Sequence, residues 1–308
     1  MKIIILIISI IIIIRMQVLI KLDNLIEGQV VKRPSKYIKT PYVADILCEN
    51  DSKVNEVLGH TASLGCCGLA DVNASVLISL SPESKSKSRN VKNKANMKCT
   101  HTVYLSILRD NINEQIIGIH PKLAEHLTES ALKNNYLSTL QNIKRYRRET
   151  SIYIKDKIDS RFDFTGVDQN GVPFIMEVKN VPLADYEDMT ENERSKMDFS
   201  GYNFNSKVAY FPDGYRKKSS DPVSPRALKH IRELTLIKRE TIQNTRCIMC
   251  YVIQRTDVNR FQPSIIDPEY REAFIQALAA GVEIITMVIK WTKEGDAYFI
   301  RDDLPISL

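Results

Sequence analysis

The sequence predicts an α+β protein of two domains, in which a small β-barrel precedes a larger domain whose mixed sheet is flanked by helices. Its 308 residues are enough for two ordinary domains, each with a core of its own. Five short candidate strands fall within roughly 90 residues near the start, a density typical of a small barrel. The remainder alternates strands and helical patterns in the order β-β-α-β-α-β, which is typical of a sheet with flanking helices.

The barrel is predicted over residues 16–112. Its candidate strands are 27–31, 42–48, 54–63, 74–80 and 102–108. An oligonucleotide-binding (OB) fold is the natural candidate, and such barrels bind single strands through stacking aromatic side chains and a basic groove. Candidate nucleic-acid-binding residues follow the first strand: Arg33, Lys36, Tyr37 and Lys39. A solvated loop before the next strand accounts for the same residues equally well.

The second domain is predicted over residues 113–308. A short strand at 116–119 precedes a helix that Pro121 opens, since proline is favoured in a first helical turn. Leucine periodicity extends this helix to about Leu140. Ser224 and Pro225 predict a second helix start, as an N-cap followed by proline. Two more strands are predicted at 246–254 and 282–291, and one more helix at 268–280.

The most informative stretch is residues 160–182, which predicts a β-hairpin with strands at 161–167 and 172–181. Glu177 and Lys179 share a face of the second strand, because side chains alternate with a period of two. A three-residue loop at 169–171, with Gly171 left-handed, places Asp163 across from Glu177. A two-residue Asn-Gly loop would instead send the two carboxylates to opposite faces.

Two carboxylates and a lysine that converge within a sheet predict a divalent-cation site. Buried like charges raise each other's pKa, and a bound cation removes that cost. Asp163 and Glu177 would supply oxygen ligands to Mg²⁺ or Mn²⁺, and Lys179 would orient or help deprotonate a water. This is machinery for phosphodiester hydrolysis. The alternative is a structural Glu177–Lys179 pair on an exposed strand face.

The hairpin pattern D…ExK resembles the loosely defined PD-(D/E)XK nuclease superfamily, and the wider chain resembles the sugar fermentation stimulation protein A (SfsA) family. The matching segments keep the family's order and similar spacing from about residue 26 onward: SRFDF (160–164), EVKNVPLA (177–184), YFPD (210–213), LKHIREL (228–234), VIQRTDVNRFQPSIIDPEY (252–270), GVEI (281–284) and DLPISL (303–308). The resemblance implies an OB-like barrel followed by a PD-(D/E)XK nuclease-like α/β domain. It also implies DNA binding and a regulatory role in sugar (maltose) metabolism.

Further site residues accompany this resemblance. Glu149 is a candidate third carboxylate, because the family has a Glu at about this distance before its Arg-x-Asp strand. Arg161 would steady the phosphate or the carboxylates. Further candidate nucleic-acid contacts lie just before the hairpin and on the helix after it: Lys144, Arg145, Arg147, Arg148, Lys229 and Arg232. For both groups, a solvated basic face is the alternative.

The favoured function is therefore nucleic-acid binding, with DNA as the expected polymer, together with Mg²⁺-dependent cleavage of phosphodiester bonds. The alternative is a non-catalytic, non-specific DNA-binding or regulatory protein that kept the nuclease scaffold. Binding alone needs no metal and tolerates Lys179→Ala, whereas cleavage does not. No cofactor besides the metal is expected, because the sequence shows no glycine-rich phosphate loop, nucleotide motif or serine triad. The sequence specifies no oligomeric state.

The composition predicts a soluble globular protein, with 44% hydrophobic and 26% charged residues. The net charge of +6 permits nucleic-acid binding without requiring it. The isoleucine-rich run at 3–14 is shorter than the roughly 20 residues that span a bilayer, and no small-residue cleavage site follows it. It is an extension upstream of a start at Met16, an uncleaved anchor, or an added strand or helix. The first is favoured because the family resemblance begins later, so a cytoplasmic or nuclear location is expected rather than a membrane one.

Overall fold

The structure is a computed structural model that describes residues 17–50, 53–62, 68–81, 99–109, 112–212, 221–241 and 244–308. The isoleucine-rich run at 3–14 lies outside the described residues, so the interpretations given for it stay predictions. No helix in these ranges combines the length and apolar character needed to cross a membrane.

The N-terminal part forms a six-stranded sheet that curls into a barrel. Its strands are β2 (Ile26–Lys32), β3 (Val43–Asn50), β4 (Lys53–His60), β5 (Ser75–Leu80), β6 (His101–Arg109) and β7 (Glu114–Gly118). The order is β4-β3-β2-β5-β6-β7, and a further parallel pairing of β4 with β6 closes one end of the sheet. Side chains such as Ile46, Ile78 and Ile117 fill the interior. The five predicted strands and the OB-like barrel are confirmed.

The second domain is built on a seven-stranded mixed sheet. Its strands are β1 (Val18–Lys21), β8 (Arg145–Ile154), β9 (Ile158–Val167), β10 (Pro173–Val181), β13 (Arg246–Ile253), β15 (Glu283–Trp291) and β16 (Asp296–Arg301). Their order is β1-β16-β15-β13-β10-β9-β8, with β10, β13 and β15 parallel to one another. A small sheet of β11 (Ala184–Asp185), β12 (Lys207–Phe211) and β14 (Val258–Pro263) lies beside it.

Helices cover both faces of the large sheet, as the predicted fold class requires. α1 (Pro121–Lys133) covers one face, and α3 (Pro225–Leu236) and α4 (Pro268–Ala279) cover the other, while the short α2 (Glu191–Arg194) lies in the connection between β11 and β12. Leu127 of α1 shares one core with Phe164 and Met176, while Ile231 of α3 and Phe274 of α4 belong to the core on the opposite face. The predicted starts of α1, α3 and α4 at proline are confirmed.

The division between the domains differs from the predicted 16–112 and 113–308 at two points. β1 pairs with β16 at the far end of the chain and so belongs to the second domain's sheet. β7 pairs with β6 and so completes the barrel. Helix α1 also ends at Lys133 rather than near Leu140, because Asn135 takes a left-handed conformation with φ of 59°. Leu140 is nevertheless buried in the same core, which explains the periodicity.

The predicted three-residue hairpin loop is confirmed. Val167 pairs with Pro173, and Gly171 has a φ of 86°. Asp168 fixes the loop, since its carboxylate accepts hydrogen bonds at 2.9 Å from the main-chain nitrogens of Asn170 and Val172. The last pair of this register is Phe164 with Met176, so Asp163 and Glu177 are the next position on each strand, as the three-residue alternative required.

Gly118 of β7 marks a close approach between the barrel and the large sheet. A Cβ there would overlap the carboxamide of Gln254 and lie 2.6 Å from Nε1 of Trp291. We expect Gly118→Ala to lower the free energy of unfolding by about 1–3 kcal/mol, since overpacked sites force neighbours to shift. Gly201→Ala is the matched control, because no described atom lies within 4 Å of its added Cβ. Urea unfolding checks this prediction, and equal midpoints for the two variants would contradict it.

Candidate active site

A pocket of about 330 Å³ opens between α1, the hairpin strand β10, the small sheet and the start of α3. Three carboxylates line it, contributed by Glu125, Asp163 and Glu177, and Lys179 lies among them. Arg226, in the first turn of α3, lines it as well. Negative and positive groups therefore line one open pocket, which suits a cation together with an anion.

Glu177 is the most deeply buried carboxylate of the pocket, with 2% of its surface exposed. Its Oε1 accepts hydrogen bonds from Nζ of Lys179 at 2.5 Å and from Nδ1 of His230. Its Oε2 is buried and receives no hydrogen bond from any described residue. Leaving a buried acceptor without a donor costs about 1–3 kcal/mol, and more when the group is charged. A bound cation would offset this cost at Oε2 of Glu177.

Asp163 lies where β9 and β10 separate, and its Oδ2 accepts a hydrogen bond from the main-chain nitrogen of Val178 at 2.7 Å. Burial raises the pKa of Asp163 to about 7, and the negative charge of Glu177 adds to the rise. Burial also acts to raise the pKa of Glu177, but the Lys179 charge and the His230 hydrogen bond hold that pKa below its usual value. At neutral pH Glu177 is therefore ionised, whereas Asp163 is ionised in only part of the molecules.

Lys179 and Glu177 share a face of β10, as the strand period predicts. The lysine side chain is only 12% exposed, and its Nζ also lies 3.4 Å from Nδ1 of His230. The alternative of a structural pair on an exposed strand face is wrong, because both side chains line the pocket and are largely buried.

His230 is a site residue that the sequence interpretation missed. Its position off the apolar stripe of α3 predicts a place on the basic face of the helix, against DNA or solvent, but it is 3% exposed and contacts Glu177. Its ring also packs against Phe162, with ring centroids 5.9 Å apart. A signal was present, since position 230 lies three residues after buried Ala227 and four before buried Leu234.

Glu125 is the third carboxylate of the pocket, and Arg148 holds it in place. Arg148 donates hydrogen bonds to Glu125 at 2.9 Å and to Glu129 at 2.7 Å. Arg148 was predicted to contact nucleic acid directly, whereas both of its carboxylate contacts lie on α1. The pairing could not be read from the sequence, because β8 and α1 are separate elements.

Glu149 and Arg161 do not lie in the pocket. They form an exposed ion pair at 3.2 Å, with side chains 52% and 57% exposed. Glu149 has a φ of 49° and lies between the paired Arg148 and Thr150, where the register of β8 against β9 is unbroken. Its carboxylate pairs with Arg161 outside the pocket and not at the place that its spacing predicted.

The predicted barrel cluster divides into structural and exposed residues. Arg33 is structural, since its guanidinium donates to the Pro41 carbonyl at 2.8 Å and pairs with Asp71 at 3.3 Å. Lys36 pairs with a glutamate on β4 and lies 4.9 Å from the centroid of the Tyr37 ring. Tyr37 is 52% exposed, and Lys39 is exposed as well. These last two remain accessible for a ligand.

The other basic candidates are exposed at different places. Lys144, Arg145 and Arg147 project from the start of β8 and make no ion pair with any described residue. Lys229 donates to the main-chain oxygen of Asp159, and Arg232 pairs with a glutamate of α4 at 2.8 Å. Both α3 residues therefore lie outside the pocket. Their neighbour Arg226, which was not on the predicted list, lines it instead.

The donor set of the pocket suits a hard divalent cation. Among the described residues, no three His, Cys, Asp or Glu side chains form a ready-made cage for a metal. Mg²⁺ does not need one, since proteins usually bind it through one or two carboxylates while it keeps several waters. The unpartnered Oε2 of Glu177 and the neighbouring carboxylate of Asp163 fit this requirement.

His230 is expected to affect metal affinity through Glu177. His230→Ala should weaken Mn²⁺ binding by about tenfold, because the loss of a supporting hydrogen bond to a ligand typically has this effect. His230→Asn should retain most of the affinity, since its amide nitrogen replaces Nδ1 as the donor. Calorimetric titration of Mn²⁺ into the three proteins measures this. Equal affinities for all three would contradict the role assigned to His230.

Comparison with known proteins identifies the family. The family model described as the sugar fermentation stimulation protein RE domain, SfsA, matches residues 122–295, more than half of the chain. The sugar fermentation stimulation protein homolog of Crocosphaera subtropica is 27% identical over 266 residues, which cover 85% of this chain and 90% of that protein. The homolog of Jannaschia sp. is 31% identical over 179 residues, which cover 58% of this chain and 61% of that protein.

A solved structure shares the whole fold. The structure of Pyrococcus furiosus SfsA in complex with Ca²⁺ matches with a TM-score of 0.64 at 18% sequence identity. The match covers 95% of this chain and 100% of that one. The chain therefore belongs to the sugar fermentation stimulation protein family, and the predicted resemblance is confirmed.

Proposed function

We propose that this chain binds nucleic acid and hydrolyses its phosphodiester bonds with a divalent cation, Mg²⁺ or Mn²⁺, held by Asp163 and Glu177. One observation carries the proposal. Glu177 lines the shared pocket, and its Oε1 is engaged by Lys179 and His230, while its buried Oε2 has no donor from the described residues. The neighbouring Asp163 has a raised pKa, which a bound cation would bring down.

When bound, the cation would lower the pKa of a coordinated water and neutralise charge on the phosphate. Asp163 and Glu177 would hold it, with Glu125 nearby to support its hydration. The ammonium of Lys179 places a fixed positive charge in a poorly solvated pocket, where it stabilises negative charge that develops on the phosphate.

The start of α3 supplies the complementary anion-binding side. Pro225 begins this 12-residue helix, and the side chain of Ser224 before it makes no capping hydrogen bond. Ser224 and Arg226 both line the pocket, so a hydroxyl, a guanidinium and the positive end of a helix dipole face the carboxylates. A phosphate between the two sides would contact the cation and α3 together.

A relative supports the choice of metal. Pyrococcus furiosus SfsA, whose fold this chain shares, has been solved in complex with Ca²⁺. Ca²⁺ and Mg²⁺ both take oxygen ligands from carboxylates, so a site that accepts one is a reasonable site for the other. DNA is the expected polymer, and the exposed Tyr37 and Lys39 of the barrel offer a stacking ring and a positive charge for it.

The test is an incubation of the protein with single- and double-stranded DNA and RNA in Mg²⁺, Mn²⁺ or EDTA. Asp163→Asn and Lys179→Ala proteins are run alongside. We expect cleavage of at least one polymer with Mg²⁺ or Mn²⁺, none in EDTA, and loss in both variants. Salt-sensitive binding without cleavage, unchanged in the variants, would overturn the hydrolytic proposal and leave a DNA-binding or regulatory protein on a nuclease scaffold.

A further inference from the structure

A second pocket, of about 540 Å³, lies on the other side of α1 from the carboxylates. The helix separates the two, since Glu125 faces one pocket while Lys122 and His126 face the other. Strand β1 and Tyr104 of β6 complete the walls, so both domains contribute to it. This pocket plays no part in the hydrolytic site.

The charge of this second pocket is positive. Lys122 and His126 are exposed on successive turns of α1 and pair with no carboxylate in the ranges that the structure describes. The one acidic side chain of the lining, Glu129, is already engaged by a tyrosine hydroxyl, by Arg148 and by Lys133 at 3.1 Å. Two cationic or ionisable groups thus remain without a counter-charge.

His120 adds an unsatisfied polar atom to the same pocket. Its Nδ1 is buried and makes no hydrogen bond to the described parts of the chain. Burial is the main cause that lowers the pKa of His120 to about 4, and the neighbouring basic groups contribute to the shift. Lys122, which pairs with no described carboxylate, lies beside this ring and gives the pocket a positive potential that attracts an anion.

The floor and one wall of the pocket are apolar or aromatic. The rings of Tyr104 and His120 pack with their centroids 5.2 Å apart and their planes inclined by 33°, so that two aromatic rings line one wall. Leu19 and Leu123, both nearly buried, form the floor beside it. Such a combination fits a ligand with an anionic end and a flat, weakly polar body.

We propose that this second pocket binds a phosphate monoester carried on a planar ring system, the chemistry of a nucleotide. Lys122 and His126 contact the phosphate, and Nδ1 of His120 takes up a hydrogen bond from the ligand. The ring system lies against Tyr104. The same chemistry is offered by a free mononucleotide and by the 5′-phosphorylated end of a strand, and the proposal does not depend on the hydrolytic activity of the first pocket.

The test is carried out on the full chain in EDTA, so that the carboxylate pocket holds no metal. Inorganic phosphate, adenosine, adenosine 5′-monophosphate, and a short oligonucleotide with and without a 5′-phosphate are titrated in turn. The readouts are calorimetric affinity and the imidazole proton signals of the five histidines in NMR spectra. The double variant Lys122→Ala, His126→Ala is compared with Lys155→Ala, which removes an exposed lysine from the turn between β8 and β9.

We expect the monophosphate to bind at least tenfold more tightly than adenosine and to shift the His120 and His126 signals but not that of His230. The double variant should lose at least tenfold in affinity and Lys155→Ala should lose none. A stronger effect of the 5′-phosphorylated oligonucleotide would identify a strand end as the ligand, and a stronger effect of the mononucleotide would identify a free ligand. Absence of phosphate-dependent binding, or equal binding by the double variant, would overturn the proposal.

Discussion

Asp163→Asn should stabilise the metal-free protein at pH 8, by about 1–3 kcal/mol in the free energy of unfolding. The folded-state pKa of Asp163 is raised to about 7, chiefly by burial, whereas an unfolded aspartate titrates near about 3.9. The folded protein therefore binds the proton more tightly. The contribution of Asp163 to the free energy of unfolding is fully present below about pH 4 and is lost as the pH rises through about 7. The total loss is at most about 4 kcal/mol. The asparagine never ionises and escapes this loss.

Urea unfolding in EDTA at pH 5 and pH 8 measures this effect. The wild-type protein should lose more stability between these two pH values than Asp163→Asn does. Added Mg²⁺ should stabilise only the wild-type protein at pH 8, because the variant lacks the carboxylate ligand. Asp159→Asn, an exposed position four residues earlier on β9, serves as the matched control and should follow the wild type. Destabilisation of Asp163→Asn by the same amount at both pH values would contradict this account.

Lys179→Met should lower kcat for cleavage by about 10²–10³-fold, the range found when one electrostatic donor is removed from an active site. Methionine keeps the length of the side chain in its largely buried position, so the fold should persist. Metal affinity should stay the same or rise, because the positive charge beside Glu177 is gone. Single-turnover cleavage and Mn²⁺ titration separate the two effects.

Lys229→Met is the matched control for this prediction. Lys229 is exposed on the same helix as His230 but lies outside the pocket, so its removal should leave kcat unchanged. A parallel loss of activity in both lysine variants would indicate a general electrostatic effect. Loss of metal binding in Lys179→Met would contradict the division of roles between the lysine and the carboxylates.

The hairpin could be predicted because its information is local. Asn170 and Gly171 determine the loop, and the loop determines the register, which brings Asp163 and Glu177 next to the last pair, Phe164 with Met176. The helix start at Ser224-Pro225 is local in the same way. These features depend on residues that are close in sequence, where turn chemistry and strand period are sufficient.

The missed features depend on contacts between distant segments. β1 joins the large sheet by pairing with β16, at the opposite end of the chain. His230 meets Glu177 only because α3 packs across β10, and Glu125 is held by an arginine from β8. Glu149, which has a left-handed φ of 49°, pairs with exposed Arg161 instead of entering the pocket. None of these follows from periodicity or spacing within one element.

The most direct test of the account is calorimetric titration of Mn²⁺ into the wild-type protein, Glu177→Gln and Glu149→Gln. Glu177 carries the unpartnered oxygen of the pocket, while Glu149 is exposed and paired with Arg161 elsewhere. We predict one site in the wild-type protein, retained in Glu149→Gln and weakened by at least 100-fold in Glu177→Gln. Equal Mn²⁺ affinity in Glu177→Gln and the wild-type protein would contradict the central claim that this buried carboxylate holds the metal.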